Sequence, residues 1–167
     1  TDARIYWLVA DSHQPAKELP LIEPPGAAAG PIHFWTTVER RDRTVYVANV
    51  LDDSRDNFFG DLVTSTPCEQ VLTLTHPEPN SSLAAELEVS LQGITDFAHR
   101  VSVSLNGYRL GVVEFEGMER KSQAFSFDQG LLRAGDNRVK LVSEGGETDV
   151  SAVDYTRLTY SRKFVAE

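Results

Sequence analysis

The sequence predicts an all-β protein, an antiparallel β-sandwich of the jelly-roll kind. Three observations carry this. Short apolar runs with period-two alternation recur every 8–12 residues, separated by turn residues. An Asn-Gly pair sits between two such runs in "RVSVSLNGYRLGVVEF" (100–115). No stretch has the three-to-four residue apolar spacing of a long amphipathic helix.

Taken in order, "RIYWLVA" (4–10) reads as a strand, followed by "PLIEPPGAAAGP" (20–31), whose prolines and glycines exclude a helix or a central strand. Strands follow at "IHFWTTV" (32–38), "TVYVANVL" (44–51), "FFGDLVT" (58–64) and "EQVLTLT" (69–75). In "LAAELEVSLQ" (83–92), Leu83, Ala85, Leu87, Val89 and Leu91 share one parity and form the buried face. Glu86, Glu88, Ser90 and Gln92 take the other, which predicts a wet face.

In the hairpin, Val101, Val103 and Leu105 alternate with serines, and Asn106-Gly107 suits a two-residue type I′ turn. Counting back from that turn pairs Tyr108 with Leu105, Leu110 with Val103 and Val112 with Val101. The apolar phase then slips to Val113 and Phe115, which predicts a bulge near Gly111. "QAFSFD" (123–128), "NRVKLVS" (137–143) and "SAVDYTRLTYSRKF" (151–164) complete the strands. Between them "DQGLLRAGDN" (128–137) predicts a single helical turn, with Leu131 and Leu132 tucked under the sheet edge. Residues 1–65 are irregular and aromatic, with Trp7 and Trp35. Residues 66–167 have cleaner strands. The expectation is one domain in which the first part wraps the sandwich core.

The chain has 167 residues and carries 16 basic against 25 acidic side chains, a formal charge of −9. That balance opposes binding to nucleic acid or to anionic membrane, both of which attract basic patches. No segment is apolar for long enough to span a bilayer as a helix. Cys68 is the single cysteine, so an internal disulfide and a cysteine-type zinc site are excluded.

The order "VSVSLNGYRLG", "AFSFDQGLLRAGDNRVKLV", "VDYTRLTYSRKF" resembles galactose-binding-like jelly rolls. More narrowly, "IYWL" (5–8), "VERRDRTVY" (38–46), "DNFFGDLV" (56–63), the Asn-Gly hairpin and "YSRKFVA" (160–166) resemble the β-sandwich ahead of the catalytic domain in gingipain-type cysteine peptidases. In that family the nucleophile and its histidine lie in a separate, downstream α/β domain. The resemblance implies a non-catalytic module of a larger secreted protein, extracellular or at the cell surface, whose first partner is the catalytic domain of the same chain.

Four sets of residues are candidates for chemistry. A cysteine dyad needs Cys68 beside His13, His33, His76 or His99. Cys68 follows Thr66-Pro67 at a strand entry, which reads instead as a small buried apolar position. Asp52, Asp53 and Asp56 offer clustered oxygens of the kind Ca²⁺ takes, without the spacing of an EF-hand; the simpler reading is a solvated turn whose Asp and Asn side chains make local hydrogen bonds. Jelly rolls of the resembling type often carry a structural calcium. Trp35, Tyr46, Phe58 and Phe59 could stack on a sugar, and "His33-Phe34-Trp35" and "Phe58-Phe59" place neighbouring rings on opposite strand faces. The alternative is that most of them are core or cover the interface to a neighbouring domain. Glu39 to Arg43 is a charge run that reads as a wet turn with weak ion pairs. The sequence therefore favours an accessory sandwich domain with no catalytic residues of its own, with a carbohydrate-binding module as the alternative.

Overall fold

The computed structural model describes residues 33–48, 50 and 57–165. The expected strand at 4–10 and the segment 20–31 lie outside them. Eleven strands and one short turn of 3₁₀ helix follow in chain order among the described residues: β1 His33–Arg40, β2 Val45–Tyr46, β3 Phe58–Phe59, β4 Leu62–Val63, β5 Cys68–Leu74, β6 Ala84–Gly93, β7 Ala98–Leu105, β8 Tyr108–Glu116, β9 Arg120–Asp128, the turn Gln129–Leu131, β10 Gly135–Ser143 and β11 Ser151–Lys163.

They form two packed antiparallel sheets. The first has the order β1-β11-β6-β9, with β4 alongside the start of β11; the second has the order β5-β10-β7-β8. A β2–β3 ribbon makes a third, two-stranded piece. The all-β sandwich expected from the period-two alternation is the observed fold.

The core lies between the two main sheets, and strand parity decides who enters it. Ala85, Leu87, Val89 and Leu91 of β6 are fully buried and meet Val101, Val103 and Leu105 of β7, Val139 and Leu141 of β10, and Leu158 and Tyr160 of β11. Each of these buried valines and leucines contributes roughly 1.5–3 kcal/mol by leaving water. The helical turn is capped by the Asp128 carboxylate, which accepts from the Gly130 amide. Leu132, just beyond it, is buried in the core and Leu131 packs against it.

Asn106 and Gly107 have φ values of 51° and 89°, the left-handed pair that a type I′ turn requires. The Asn106 side chain also donates to the Leu131 carbonyl at 2.8 Å and accepts from the Arg138 amide at 3.0 Å. The expected bulge is present, but it lies on the turn side of Gly111. Ser104 faces Arg109 and Val103 faces Gly111, so Leu110 is the extra residue. Val101 consequently faces Val113, one position beyond the pairing counted from the turn. Gly111 leaves room for the Phe125 ring, which a Cβ there would strike at 2.6 Å.

The wet face expected on β6 is wet only at one end. Glu86 is exposed, whereas Ser90 and Gln92 are 0 % and 5 % exposed. The β2–β3 ribbon and a buried ion-pair network cover that half. The ribbon strands are also much shorter than the runs at 44–51 and 58–64 predict. Gly60 donates its amide to the Val153 carbonyl at 2.7 Å, which pulls the chain off the ribbon and onto β11.

Candidate functional site

The turns of the sandwich gather at two ends. One end holds the Asn106-Gly107 turn, the start of β1 and the end of β11. The other holds the β2–β3 ribbon and the loops after β6, β8 and β10. The ribbon sits on the outer face of the first sheet at this second end. Val45 pairs with Phe59 and Tyr46 with Phe58, so alternate side chains point down and up. Phe59 and Val45 point down onto Ala152, in a small cluster with Val47, Val50, Ile94 and Met118. Tyr46 and Phe58 point up, 61 % and 44 % exposed, with ring centroids 5.2 Å apart and planes inclined by 54°.

A buried carboxylate ties the ribbon down. β11 bulges between Val153 and Tyr155. The extra residue is Asp154, whose side chain is 2 % exposed. It pairs with Arg43 at 3.0 Å and with Arg120, and accepts from the Ser90 hydroxyl at 3.3 Å. Arg43 also donates to the Phe58 carbonyl at 2.6 Å. One guanidinium thus links the sheet to the strand that carries Phe58. The charge run at 39–43 is therefore more than a wet turn. Arg41 and Arg157 lie on the Tyr155 ring, each 4.8 Å from its centroid, while Arg157 bonds to Glu39 and Glu88 and Tyr155 donates to Glu88.

The structure separates the four aromatic residues singled out in the sequence. Tyr46 and Phe58 come together. Phe59 is 4 % exposed and supports the ribbon from beneath, so it presents no face to a ligand. Trp35 is half exposed but pairs with Ser161, nine residues along β11 from Ala152, which at roughly 3.3 Å per residue is on the order of 30 Å. Trp35 belongs to the other end. There Phe34 packs on Phe164 at 4.8 Å beside an open cleft of about 480 Å³ lined also by Arg162, Lys163 and Val165. Nothing in the sequence points to that cleft, because its walls come from the start of β1 and the end of β11, far apart along the chain. The ribbon tie has a faint sign there: Asp154 interrupts the apolar parity of β11.

Cys68 and the described histidines do not form a dyad. Burial pushes the Cys68 thiol above its ordinary value, and its neighbour is the Gln70 amide at 3.7 Å. His99 is buried at the ribbon end. Its Nδ1 lies 2.6 Å from Asp149, and its Nε2 faces the carbonyls of Thr95 and Gly117 at 3.0 and 2.9 Å, so that Nε2 carries a hydrogen. Asp149 also accepts from the Ser143 hydroxyl at 2.7 Å and the Arg100 amide at 3.0 Å. Burial raises the Asp149 carboxyl; the bonds from Ser143, Arg100 and His99 outweigh it and hold the group below the usual carboxylate range. This node fastens the loops after β6, β8 and β10. His13, Asp52, Asp53 and Asp56 lie outside the described residues. Among the described residues no group of three or more His, Cys, Asp or Glu side chains could hold a metal ion.

No protein-family model matches the sequence, and no curated protein does. Solved structures match the fold. A dimeric latent PorU from Porphyromonas gingivalis superposes with a TM-score of 0.60 at 10 % identity, over 84 % of this chain and 14 % of that one. BpGH86A, a β-porphyranase of glycoside hydrolase family 86 from the human gut bacterium Bacteroides plebeius, gives 0.51 at 16 % identity, over 80 % and 21 %. A carbohydrate-binding module, CBM36, in complex with calcium and xylotriose gives 0.46 at 15 % identity, over 74 % and 98 %. This chain therefore spans about a seventh of the PorU chain and a fifth of the porphyranase. At these identities the likeness is one of fold, and the first two carry it: the chain is an antiparallel β-sandwich.

Proposed function

We propose that this chain is a non-catalytic accessory module of a larger, secreted, gingipain-type cysteine peptidase, where it packs against the catalytic domain and positions it. The observation that carries the reading is how the reactive side chains are used. The Cys68 thiol is buried against Gln70 and the His99 ring is enclosed by Asp149 and two carbonyls, while what the surface offers is exposed aromatic area at both ends. Such a surface suits contact with another molecule or domain. The sequence resemblance at "VERRDRTVY", "DNFFGDLV" and "YSRKFVA" supports the peptidase context. The fold likeness to a segment amounting to 14 % of PorU supports a modular role. The test is mass spectrometry and sequencing of the native polypeptide. A longer chain with an α/β domain bearing a His-then-Cys pair is expected. A polypeptide ending near Glu167, or one running into an unrelated enzyme, would overturn the reading.

A second reading is glycan binding, and the Tyr46–Phe58 pair favours it. Two exposed rings on a ribbon fixed from below by Arg43 and Phe59 offer an apolar face to the C–H side of a sugar, and the Tyr46 hydroxyl adds a polar handle. Affinity electrophoresis through gels containing soluble polysaccharides tests it. Retardation in at least one gel is expected; uniform mobility across a broad panel would refute it.

A further inference from the structure

We infer that the Tyr46–Phe58 pair accepts a single sugar unit of a soluble, uncharged glycan and is not a platform for a flat polysaccharide surface; this rests on the glycan-binding reading above. Three observations converge. The first is the inclination of the rings. A flat surface of aligned chains is matched by rings lying in one plane and set apart from each other. Here the planes are inclined by 54° and the centroids are 5.2 Å apart, within the contact range of an aromatic pair. The two rings make a step. A pyranose laid on one ring has the other against its edge, so the pair embraces one unit.

The second is the position of Trp35. Half exposed on the first sheet, it lies on the order of 30 Å from the ribbon along β11 and does not join the pair in a row.

The third is charge. The arginines of β1, of the segment after it and of the outer face near the ribbon are matched by carboxylates. Arg40 pairs with Asp42, Arg41 with Glu39, Arg43 and Arg120 with the buried Asp154, and Arg157 with Glu39 and Glu88. An anionic sugar would have to compete with these carboxylates, in a chain of net charge −9. An uncharged sugar meets no such opposition.

The experiment uses the full chain and the variants Tyr46→Ala and Phe58→Ala. Both side chains are exposed, so circular dichroism and melting temperature should stay close to the parent. Affinity electrophoresis is run in neutral soluble xylan, galactomannan and laminarin and in anionic polygalacturonate. Pull-downs use crystalline cellulose and chitin powders. The expected result is retardation in at least one neutral glycan, an affinity about tenfold or more weaker in each variant, and no retention on either powder or in polygalacturonate. Retention on a powder, retardation in polygalacturonate, or binding that survives both substitutions would overturn this inference while leaving glycan binding standing. Uniform mobility and empty pull-downs would remove the glycan reading and this inference with it.

Discussion

Asp149→Ala and Asp149→Asn should differ sharply, although both remove one negative charge. The parent carboxylate accepts three hydrogen bonds in a site that is 1 % exposed: from Ser143 at 2.7 Å, from the Arg100 amide at 3.0 Å and from His99 at 2.6 Å. Alanine leaves all three partners buried and unmet. At roughly 1–3 kcal/mol for each stranded polar group, less some relaxation, the loss is about 4 kcal/mol. For a chain of this size that is on the order of 12 °C in melting temperature. Asparagine can keep its oxygen toward Ser143 and Arg100 and turn its amide toward Nδ1, which accepts once the ring has given up the hydrogen it shared with Asp149, while Nε2–H still donates to Thr95 and Gly117. Its cost should be about 1 kcal/mol.

The two carboxamide and carboxylate forms also separate by pH. The folded Asp149 titrates below the unfolded value, so between the two values the unfolded chain holds more protons. The stability due to this group is complete above the ordinary carboxylate range. It is lost as pH falls through the lower, folded value. Asp149→Asn should lack that component and show a shallower decline in acid. Thermal melts by circular dichroism from pH 7 down to pH 3 measure both effects. An alanine variant within 1 kcal/mol of the parent, or an asparagine variant as damaged as alanine, would refute the hydrogen-bond account.

Gly93→Ala should cost about 3 kcal/mol or more and reduce soluble yield, because a Cβ there collides with the Gly117 carbonyl oxygen and approaches His99 Nε2 at 2.8 Å; chemical denaturation checks it. Asn106→Gly keeps the turn geometry but loses the bonds to Leu131, Asn137 and the Arg138 amide, so a loss of about 1–2 kcal/mol is expected, where a turn preference alone predicts almost none. Cys68 should react with an aromatic disulfide reagent at neutral pH only as fast as the chain opens, with prompt labelling after denaturation; fast labelling of the folded chain would mean an accessible, activated thiol.

Local pattern was enough to find the sandwich. The parity of β6 named Ala85, Leu87, Val89 and Leu91, and each is fully buried. Leu83, of the same parity, is 39 % exposed because it precedes the strand. What local pattern cannot carry is what covers a strand from outside. Ser90 and Gln92 look solvated in sequence and are buried: Ser90 bonds with Asp154, which the β11 bulge turns to that face, and with Arg120 and Ser122, while Gln92 donates to the Met118 carbonyl. The placement of the bulge at Leu110 depends on Phe125 filling the space at Gly111, a contact between strands of different sheets. The same limit governs the site. Alternation splits Phe58 from Phe59, as the structure does, but the sequence does not say at which end of a sheet a ring emerges, so it cannot separate Trp35 from Tyr46 and Phe58.

The register of β1 on β11 has a mechanical consequence. His33 opens one strand and faces Lys163, which closes its antiparallel neighbour, so the ladder begins where both strands meet the rest of the chain. Tension applied at those two residues pulls across the ladder, not along it. The hydrogen bonds then bear load one pair at a time, from His33–Lys163 inward, like a zipper opened from its end. Strands held in shear would share the load among all their bonds at once. Under stretching, the β1 edge should peel away at low force while the other sheet keeps its pairing, which makes this edge the first part of the sandwich to yield.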